Sequence, residues 1–405
     1  MISVDEATDR ILQHMITLPA EVVALQHSVG RVLAEDLVAD RDFPPFDRIT
    51  MDGIAIDYSN YQRGSRNFKI QETAAAGSPQ SRLRDNTDCI EVMTGAMLPE
   101  GCDTVIRYED LRIDHGRAEI IPDTIVRGQN IHGRATDRKA GDVIVPEGKL
   151  VSAAEIGIAA TVGLSGFKVR ALPRIAVIST GDEIVDIDQM PLPHQIRQSN
   201  VSQVAALIRK YGAAPQSFHL ADDPADVSQK LSSILEAFDC LILSGGVSAG
   251  KFDYVPESLA ALGVEKLFHH VAQRPGKPFW FGIKKDGLST ADWRLKTVFA
   301  LPGNPVSSFM CTVRYVLPWL ERSLGIRSLP EYALLTEHVT FHPDLTYFLQ
   351  VLLEGRADGA LYAIPAPGHG SGDLANLVDA DAFIELPMGR AVYGAGESFR
   401  VWRWR

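Results

Sequence analysis

The sequence predicts a multidomain α/β protein: a central doubly wound, mostly parallel sheet domain, an N-terminal helical part with a β insertion, and a small C-terminal β barrel or sandwich. Three observations predict it. Between Leu172 and about Gly325, apolar strands alternate with amphipathic helices, the pattern of a parallel sheet covered on both faces. Short strand-like runs bounded by Gly, Pro and Asp clusters fill about Arg48 to Val145. After Gly325 the helix signals stop and strands return.

Taken in order, Ser3 and Glu6 form a capping box, and Ala7, Ile11 and Met15 recur on one helical face. Ser152 with Glu155 opens a second apolar helix, which should end near Gly163. Between them FKIQET, CIEVMT, TVIRYE and AEIIP read as strands of a small β domain, projected outward by two helices that pack on each other. In the centre, RIAVIST precedes a helix with Val204, Leu207, Ile208 and Tyr211 on one stripe and Gly212 past its end. FHLAD leads to Asp223 as N-cap, Pro224 at the first helical position, and a helix bearing Val227, Leu231, Ile234, Leu235 and Phe238. CLILSGG, FWFGI and TVFALPG are further strands, and Asn304-Pro305 starts a helix with Val306, Phe309, Met310, Val313 and Leu317. YALLTEHVTF, TYFLQVLLE, ALYAIPA, AFIELP and SFRVWRW supply the C-terminal strands. The expected boundaries are 1–47 with 130–168 for the N-terminal helical part, 48–129 for the inserted β domain, 169–325 for the central domain and 326–405 for the C-terminal β domain.

Composition narrows the function. Apolar residues make up 45% and charged residues 22% of the 405, a balance that can bury real cores. The net charge of −11 argues against a phosphate-tracking surface, so nucleic acid is not an expected partner. The first fifteen residues carry four charged groups where a signal peptide needs an apolar run, and no stretch approaches the ~20 apolar residues of a membrane span. A cytoplasmic protein without a membrane contact is expected. Cys89, Cys102, Cys240 and Cys311 are scattered without a CxxC pair, as suits reduced thiols rather than a zinc site.

In an open parallel sheet, ligands bind beyond the carboxyl ends of the strands, where turns expose amides and helix N-termini. Three turns of that kind are distinctive: Ser179 to Glu183, Ser244 to Gly250, and Leu301-Pro302-Gly303-Asn304-Pro305. In the second, Gly245 and Gly246 let backbone N–H groups approach an anion, and Ser244 and Ser248 add hydroxyl donors; a purely structural turn is the alternative. No Walker or dinucleotide fingerprint is present. Asp182 and Glu183 are adjacent carboxylates at a strand end, which suits either magnesium bridging to phosphate or a helix cap with a solvated neighbour. Asp223 is accounted for as an N-cap, leaving Asp222 for ligand contact. Gln273-Arg274-Pro275-Gly276-Lys277-Pro278 sets two cations in a stiff loop, a basin for a tetrahedral oxyanion or else a solvated turn. His269 and His270 stand just upstream.

In this order these turns resemble the molybdopterin molybdenumtransferase family, which includes the related domain of gephyrin. The similarity covers essentially the whole chain: Phe46-Asp47 with Met51 to Ala55, Met93 to Ala96, Gly128 to Ile131, Ser179 to Glu183, Ser199-Asn200, Ser244 to Gly250 with Asp253, Pro275 to Pro278, Leu301 to Pro305, and Gly370-Ser371-Gly372. The resemblance implies insertion of molybdate into adenylylated molybdopterin with release of AMP, using Mg2+, by an elongated homodimer. It implies that Asp52, Thr94 and Asp137 meet Glu183, Asp222, Asp253, Lys277, Pro302 and Pro305 of the other subunit. Asp52, Thr94, Asp137, Glu183, Asp253 and Lys277 are then the expected catalytic residues, with Glu183 and Asp253 as magnesium ligands. Asp182, Asp222, Ser244, Gly245, Gly246, Ser248, His270, Arg274, Pro302, Gly303, Asn304, Pro305 and Ser371 are expected to bind substrate. Contacts with the adenylylating enzyme and with molybdoenzymes are implied as well.

The chain departs from the family pattern at named positions. His270 and Arg274 stand where Lys is common, Lys251 where an acid is common, and Gln350 where a basic residue follows the Phe. Ala135-Thr136-Asp137 replaces a typical Gly-Glu-Asp. Two rival readings remain at this level: adenylyl transfer to molybdopterin by the same type of α/β domain, and a non-catalytic scaffold that holds the cofactor.

Overall fold

The structure, a computed structural model, describes residues 1–246, 254–286 and 294–405. The chain divides into two compact units: Met1–Ala34 with Gly148–Ser152 and Gly166–Arg405, and Glu35–Glu147 with Ala153–Ser165.

The smaller unit is built on six strands, β1 (Gly53–Ile56), β2 (Asn67–Ala74), β3 (Cys89–Val92), β4 (Thr104–Arg107), β5 (Leu111–Asp114) and β6 (Arg117–Ile120), in the order β4-β1-β3-β2-β6-β5. All of β1 is buried, because Ala55 enters one apolar cluster while Ile54 and Ile56 enter another on the opposite face. Gly53 must lack a side chain, since a Cβ there would run into Ile106 O of the neighbouring strand.

Ala135 sits in the left-handed region at φ +61°. That conformation costs a non-glycine residue about 1 kcal/mol or somewhat more. Ala135→Gly is therefore expected to stabilise the smaller unit by roughly 0.5 kcal/mol, the relief being partly offset by the greater chain entropy of glycine. The thermal midpoint measures it, and an unchanged or lower midpoint would show that the strain is already absorbed elsewhere.

In the larger unit a six-stranded sheet comprises β7 (Ile175–Thr180), β8 (Gln216–Leu220), β9 (Cys240–Ser244), β10 (Glu265–His269), β11 (Trp280–Asp286) and β12 (Arg294–Leu301), in the order β8-β7-β9-β12-β11-β10. The first four in that order run parallel, while β11 and β10 are antiparallel additions. Ile175 and Val177 point into one core with Val204, Ile208 and Trp319, whereas Ala176 and Ile178 point into a second with Val227, Leu231 and Leu259. Helices thus cover both faces, as the alternating pattern required.

The N-terminal helix Val4–Leu12 is capped by Ser3, whose hydroxyl accepts from Glu6 N–H. Glu6 does not complete the box; its carboxylate pairs forward with Arg10 at 2.6 Å. The two predicted helices fall in different units. Val4, Ala7 and Ile11 enter the core of the larger unit, while the helix Ala153–Thr161 belongs to the smaller.

The C-terminal strands β13 (Glu331–Leu335), β14 (Thr346–Gly355), β15 (Leu361–Pro365), β16 (Ala382–Leu386) and β17 (Ser398–Arg403) close into a barrel, because β14 pairs with both β15 and β16. A short strand Gln273–Arg274, lying between β10 and β11 in the chain, pairs with β14 and joins the sheet domain to the barrel. The helix begun at Pro305 runs as Pro305–Cys311, a π-helical segment Thr312–Val316, and Leu317–Leu324, ending at Gly325 with φ +86°. Pro318 gives the physical reason for the π turn, having no N–H to donate backwards and a ring that crowds the preceding turn.

All four cysteines are buried and free. Among the described residues no helix is long and apolar enough to cross a membrane.

Candidate active site

The strand tips are level. Ser179 stands opposite Ser244, Ser244 opposite Leu301, and Thr180 opposite Leu220. The three distinctive turns therefore leave the sheet side by side, and they enclose a cavity of about 580 Å³ lined by Gly181, Glu183, Asp222, Ser244, Gly245, Gly246 and Pro302 to Pro305.

Glycine is required along this wall. Gly245 (φ +100°) and Gly246 (φ +69°) lie so close to β7 and the next helix that a Cβ would sit 2.7 Å from Thr180 Oγ1 or 2.9 Å from Val255 Cγ2. At Gly181 (φ +118°) a Cβ would collide with the Glu183 carboxylate, so this glycine leaves room for that group to fold back over the turn. Asn200 ties two turns together, donating from Nδ2 to Ser244 Oγ at 2.8 Å and to Gly303 O at 2.7 Å. Nothing local to Ser199-Asn200 announces this bridging role, because the partners lie 44 and 103 residues away.

A second cavity of about 620 Å³ adjoins the first, sharing Pro278, Pro302 and Asn304 as lining. It holds Arg274 and Lys277 from the basic loop, Ser371, and His342, Gln350 and His369 from the barrel domain. Asn304 Nδ2 donates to Ser371 Oγ at 2.8 Å, linking the third turn to the Gly370-Ser371-Gly372 segment. Gln350 is buried and its Oε1 accepts from Asn376 Nδ2 at 2.5 Å, which leaves its NH2 group as the donor end. The guanidinium of Arg274 lies 6.0 Å from the Phe341 ring centroid.

Two expected ligand residues do not line either cavity. Asp182 braces the first turn, its Oδ1 accepting from Asp222 N–H at 3.0 Å. His270, at φ +91°, stacks its ring on His269 with centroids 4.1 Å apart. Ser248 and Asp253 lie outside the described residues. Among the described residues there is no group of three or more His, Cys, Asp or Glu arranged to hold a metal ion. Glu183 and Asp222 nevertheless bring two carboxylates to one cavity, a donor set that fits magnesium completed by substrate oxygens.

Asp52, Thr94 and Asp137 belong to the smaller unit. Asp52 Oδ1 accepts from Thr94 N–H at 2.6 Å and from its hydroxyl at 2.8 Å, and these bonds, the backbone one first, hold the carboxyl below the usual carboxylate range. Asp137 Oδ1 lies 3.0 Å from His132 Nε2, whose other ring nitrogen faces Arg48 at 3.3 Å. Because a guanidinium only donates, His132 Nδ1 accepts and Nε2–H donates to Asp137.

A depressed carboxyl pKa favours the folded form above the unfolded value, and that contribution is lost as pH falls through the folded value. For Asp52 the loss is confined to acid below the ordinary carboxylate range. Thr94→Val removes the hydroxyl bond and keeps the backbone one, so the Asp52 titration is expected to move part of the way back up. Carboxyl NMR measures it, and an unmoved midpoint would assign the whole shift to the N–H.

Family models match three successive stretches: "MoeA N-terminal region (domain I and II)" over residues 2–163, "Probable molybdopterin binding domain" over 176–322, and "MoeA C-terminal region (domain IV)" over 332–404. A molybdopterin molybdenumtransferase of Synechocystis sp. is 42% identical over 407 residues, covering 100% of both chains. The chain belongs to the MoeA family of molybdopterin molybdenumtransferases. A Staphylococcus aureus member is 32% identical over 408 residues, covering 99% of this chain and 95% of its own. Among solved structures, a molybdopterin biosynthesis MoeA protein from Pyrococcus horikosii aligns with a TM-score of 0.84 at 28% identity, over 100% of this chain and 99% of its own. Both joined cavities lie within the stretches that match the molybdopterin-binding and C-terminal MoeA models, which makes this region the candidate active site of a MoeA-type transferase.

Proposed function

We propose that this MoeA-family chain inserts molybdate into adenylylated molybdopterin and releases AMP, acting as a cytoplasmic homodimer with magnesium. One observation carries the reading: two cavities of complementary chemistry meet at Pro302 and Asn304. The first offers backbone amides, serine hydroxyls and carboxylates to a phosphoanhydride; the second offers Arg274 and Lys277 to a tetrahedral dianion.

In this reading the glycine-rich turn and Ser244 hold the nucleotide phosphates, while Glu183 and Asp222 orient them. Magnesium, held by Glu183 with Asp222 or with Asp253, would supply charge neutralisation at the phosphoanhydride. Arg274, Lys277 and Ser371 gather molybdate next to the pterin, where the dithiolene sulfurs capture the metal while water cleaves the phosphoanhydride and AMP leaves. In the proposed homodimer the Asp52–Thr94 pair, ionised at Asp52, positions substrate at the other subunit's cavities.

Adenylyl transfer is the competing reaction on such a sheet domain. The matches over 2–163 and 332–404 speak against it, since that reaction needs no such flanking regions. Purified protein given adenylylated molybdopterin, magnesium and molybdate should release AMP only when molybdate is present. Adenylylation of free molybdopterin with ATP, without that molybdate-dependent release, would replace this reading with its rival; neither activity would favour a scaffold.

A further inference from the structure

The turn bearing Arg274 and Lys277 is held from behind by a buried polar cluster. Gln273 is fully buried. Its Nε2 donates to Gly276 O at 2.9 Å and lies 3.5 Å from Cys311 Sγ, while its Oε1 accepts from the Tyr315 hydroxyl. Burial pushes the Tyr315 phenol well above its ordinary pKa, so it stays protonated and donates. That donation fixes the amide: with Oε1 turned to Tyr315, the NH2 must face the turn.

The contact is close as well as polar. At Gly276 (φ +86°) a Cβ would lie 2.7 Å from Cys311 Sγ and 3.1 Å from Met310 Cε, so the turn is pressed against the helix begun at Pro305. Tyr315 belongs to the π-helical segment Thr312–Val316, and π turns recur at functional sites because they re-aim side chains. Burying an amide is costly unless both of its ends are satisfied, whereas an apolar side chain would fill the same space freely. A satisfied buried network specifies one geometry.

We infer that Gln273 and Tyr315 are positioning residues, a clamp that sets where Arg274 and Lys277 present their charges, so that affinity for the tetrahedral oxyanion depends on the Tyr315 hydroxyl. This rests on the reading of the Arg274–Lys277 cavity as the oxyanion site. Small displacements of charged groups at a binding site weaken binding out of proportion to their size.

The test uses the full-length protein with molybdate as the probe, measuring its affinity by titration calorimetry and its KM in the AMP-release assay. Tyr315→Phe keeps the ring against Phe279, at 4.9 Å between centroids, and removes the donor alone. It is expected to weaken molybdate affinity and raise its KM about tenfold, or about 1.4 kcal/mol. Both kcat and the KM for adenylylated molybdopterin should stay within about twofold. Adding Gln273→Met should make matters little worse, since the two residues act as one unit; should that variant not fold, Tyr315→Phe decides alone. Lys277→Ala is the reference and should lose molybdate binding. Unchanged molybdate affinity in Tyr315→Phe beside a loss in Lys277→Ala overturns the clamp and leaves the oxyanion reading standing. If Lys277→Ala also binds normally, the oxyanion reading fails and the clamp with it. A uniform loss of kcat and of both substrates' affinities, tracking a fall in melting temperature, marks a merely structural role and likewise overturns the inference.

Discussion

Lys277→Ala and Glu183→Ala should each reduce AMP release from adenylylated molybdopterin by a factor of roughly 10² to 10³ or more, the usual effect of removing one preorganised electrostatic contact from a reacting anion. Both side chains are exposed to the cavities, so neither truncation opens a void in a core. Lys277 is held in a turn whose backbone is fixed by Gln273, so the backbone should remain in place when the ammonium is lost. Loss of the Glu183 carboxylate leaves Gly181 uncovered but breaks no helix cap or strand pairing. Folding and assembly are therefore expected to be unaffected, which circular dichroism and size-exclusion chromatography check beside the activity. The two variants should differ in kind: Lys277→Ala should fail at molybdate binding, Glu183→Ala at phosphoanhydride cleavage even when molybdate is saturating. Near-normal turnover in both would mean that the reaction takes place elsewhere.

How legible this site was in the sequence follows from how local each signal is. Asp223 was readable as an N-cap because the device is completed within three residues, and its Oδ1 does accept from Ala225 and Asp226 N–H. RIAVIST announced a strand buried on both faces, as β7 is. The turns after β7, β9 and β12 could be singled out by their glycines, and the parallel topology then brings them together. What escaped depends on distant partners. The antiparallel course of β10 and β11 leaves no trace in their apolar runs. Closure of the barrel requires β14 to pair on both edges, which periodicity does not encode. Asp182 reads as a ligand because adjacent carboxylates suggest a cation, whereas its Oδ1 accepts from the Asp222 N–H, 40 residues away in sequence. The π turn around Thr312 was hidden in a run whose 3.6-residue stripe reads as ordinary helix, although Pro318 gave a signal for it.

That same π turn carries the residue with the largest expected effect on stability. Arg314 is 2% exposed, and its Nε donates to Glu385 Oε2 on β16 at 3.0 Å. Its guanidinium also lies 4.2 Å from the Trp402 ring centroid and 4.9 Å from that of Tyr315. Trp402 Nε1 donates to the same Glu385 oxygen at 2.8 Å, so a single carboxylate serves both the buried cation and the indole. Glu385→Ala would strand a charge that cannot regain water without dislodging the barrel from the helix. A loss of about 3–5 kcal/mol is expected, because the penalty is that of an uncompensated buried charge rather than of one missing bond. Replacing both partners with apolar residues, Arg314→Met with Glu385→Leu, should recover most of that loss despite deleting the ion pair. Urea midpoints of the three proteins, followed by Trp fluorescence, separate the cases. If Glu385→Ala costs less than about 1 kcal/mol, the guanidinium is held by its aromatic neighbours and not by the carboxylate. If the double replacement is as damaging as the single one, shape rather than charge joins helix to barrel, and the packing of Trp402 against Arg314 is the contact that matters.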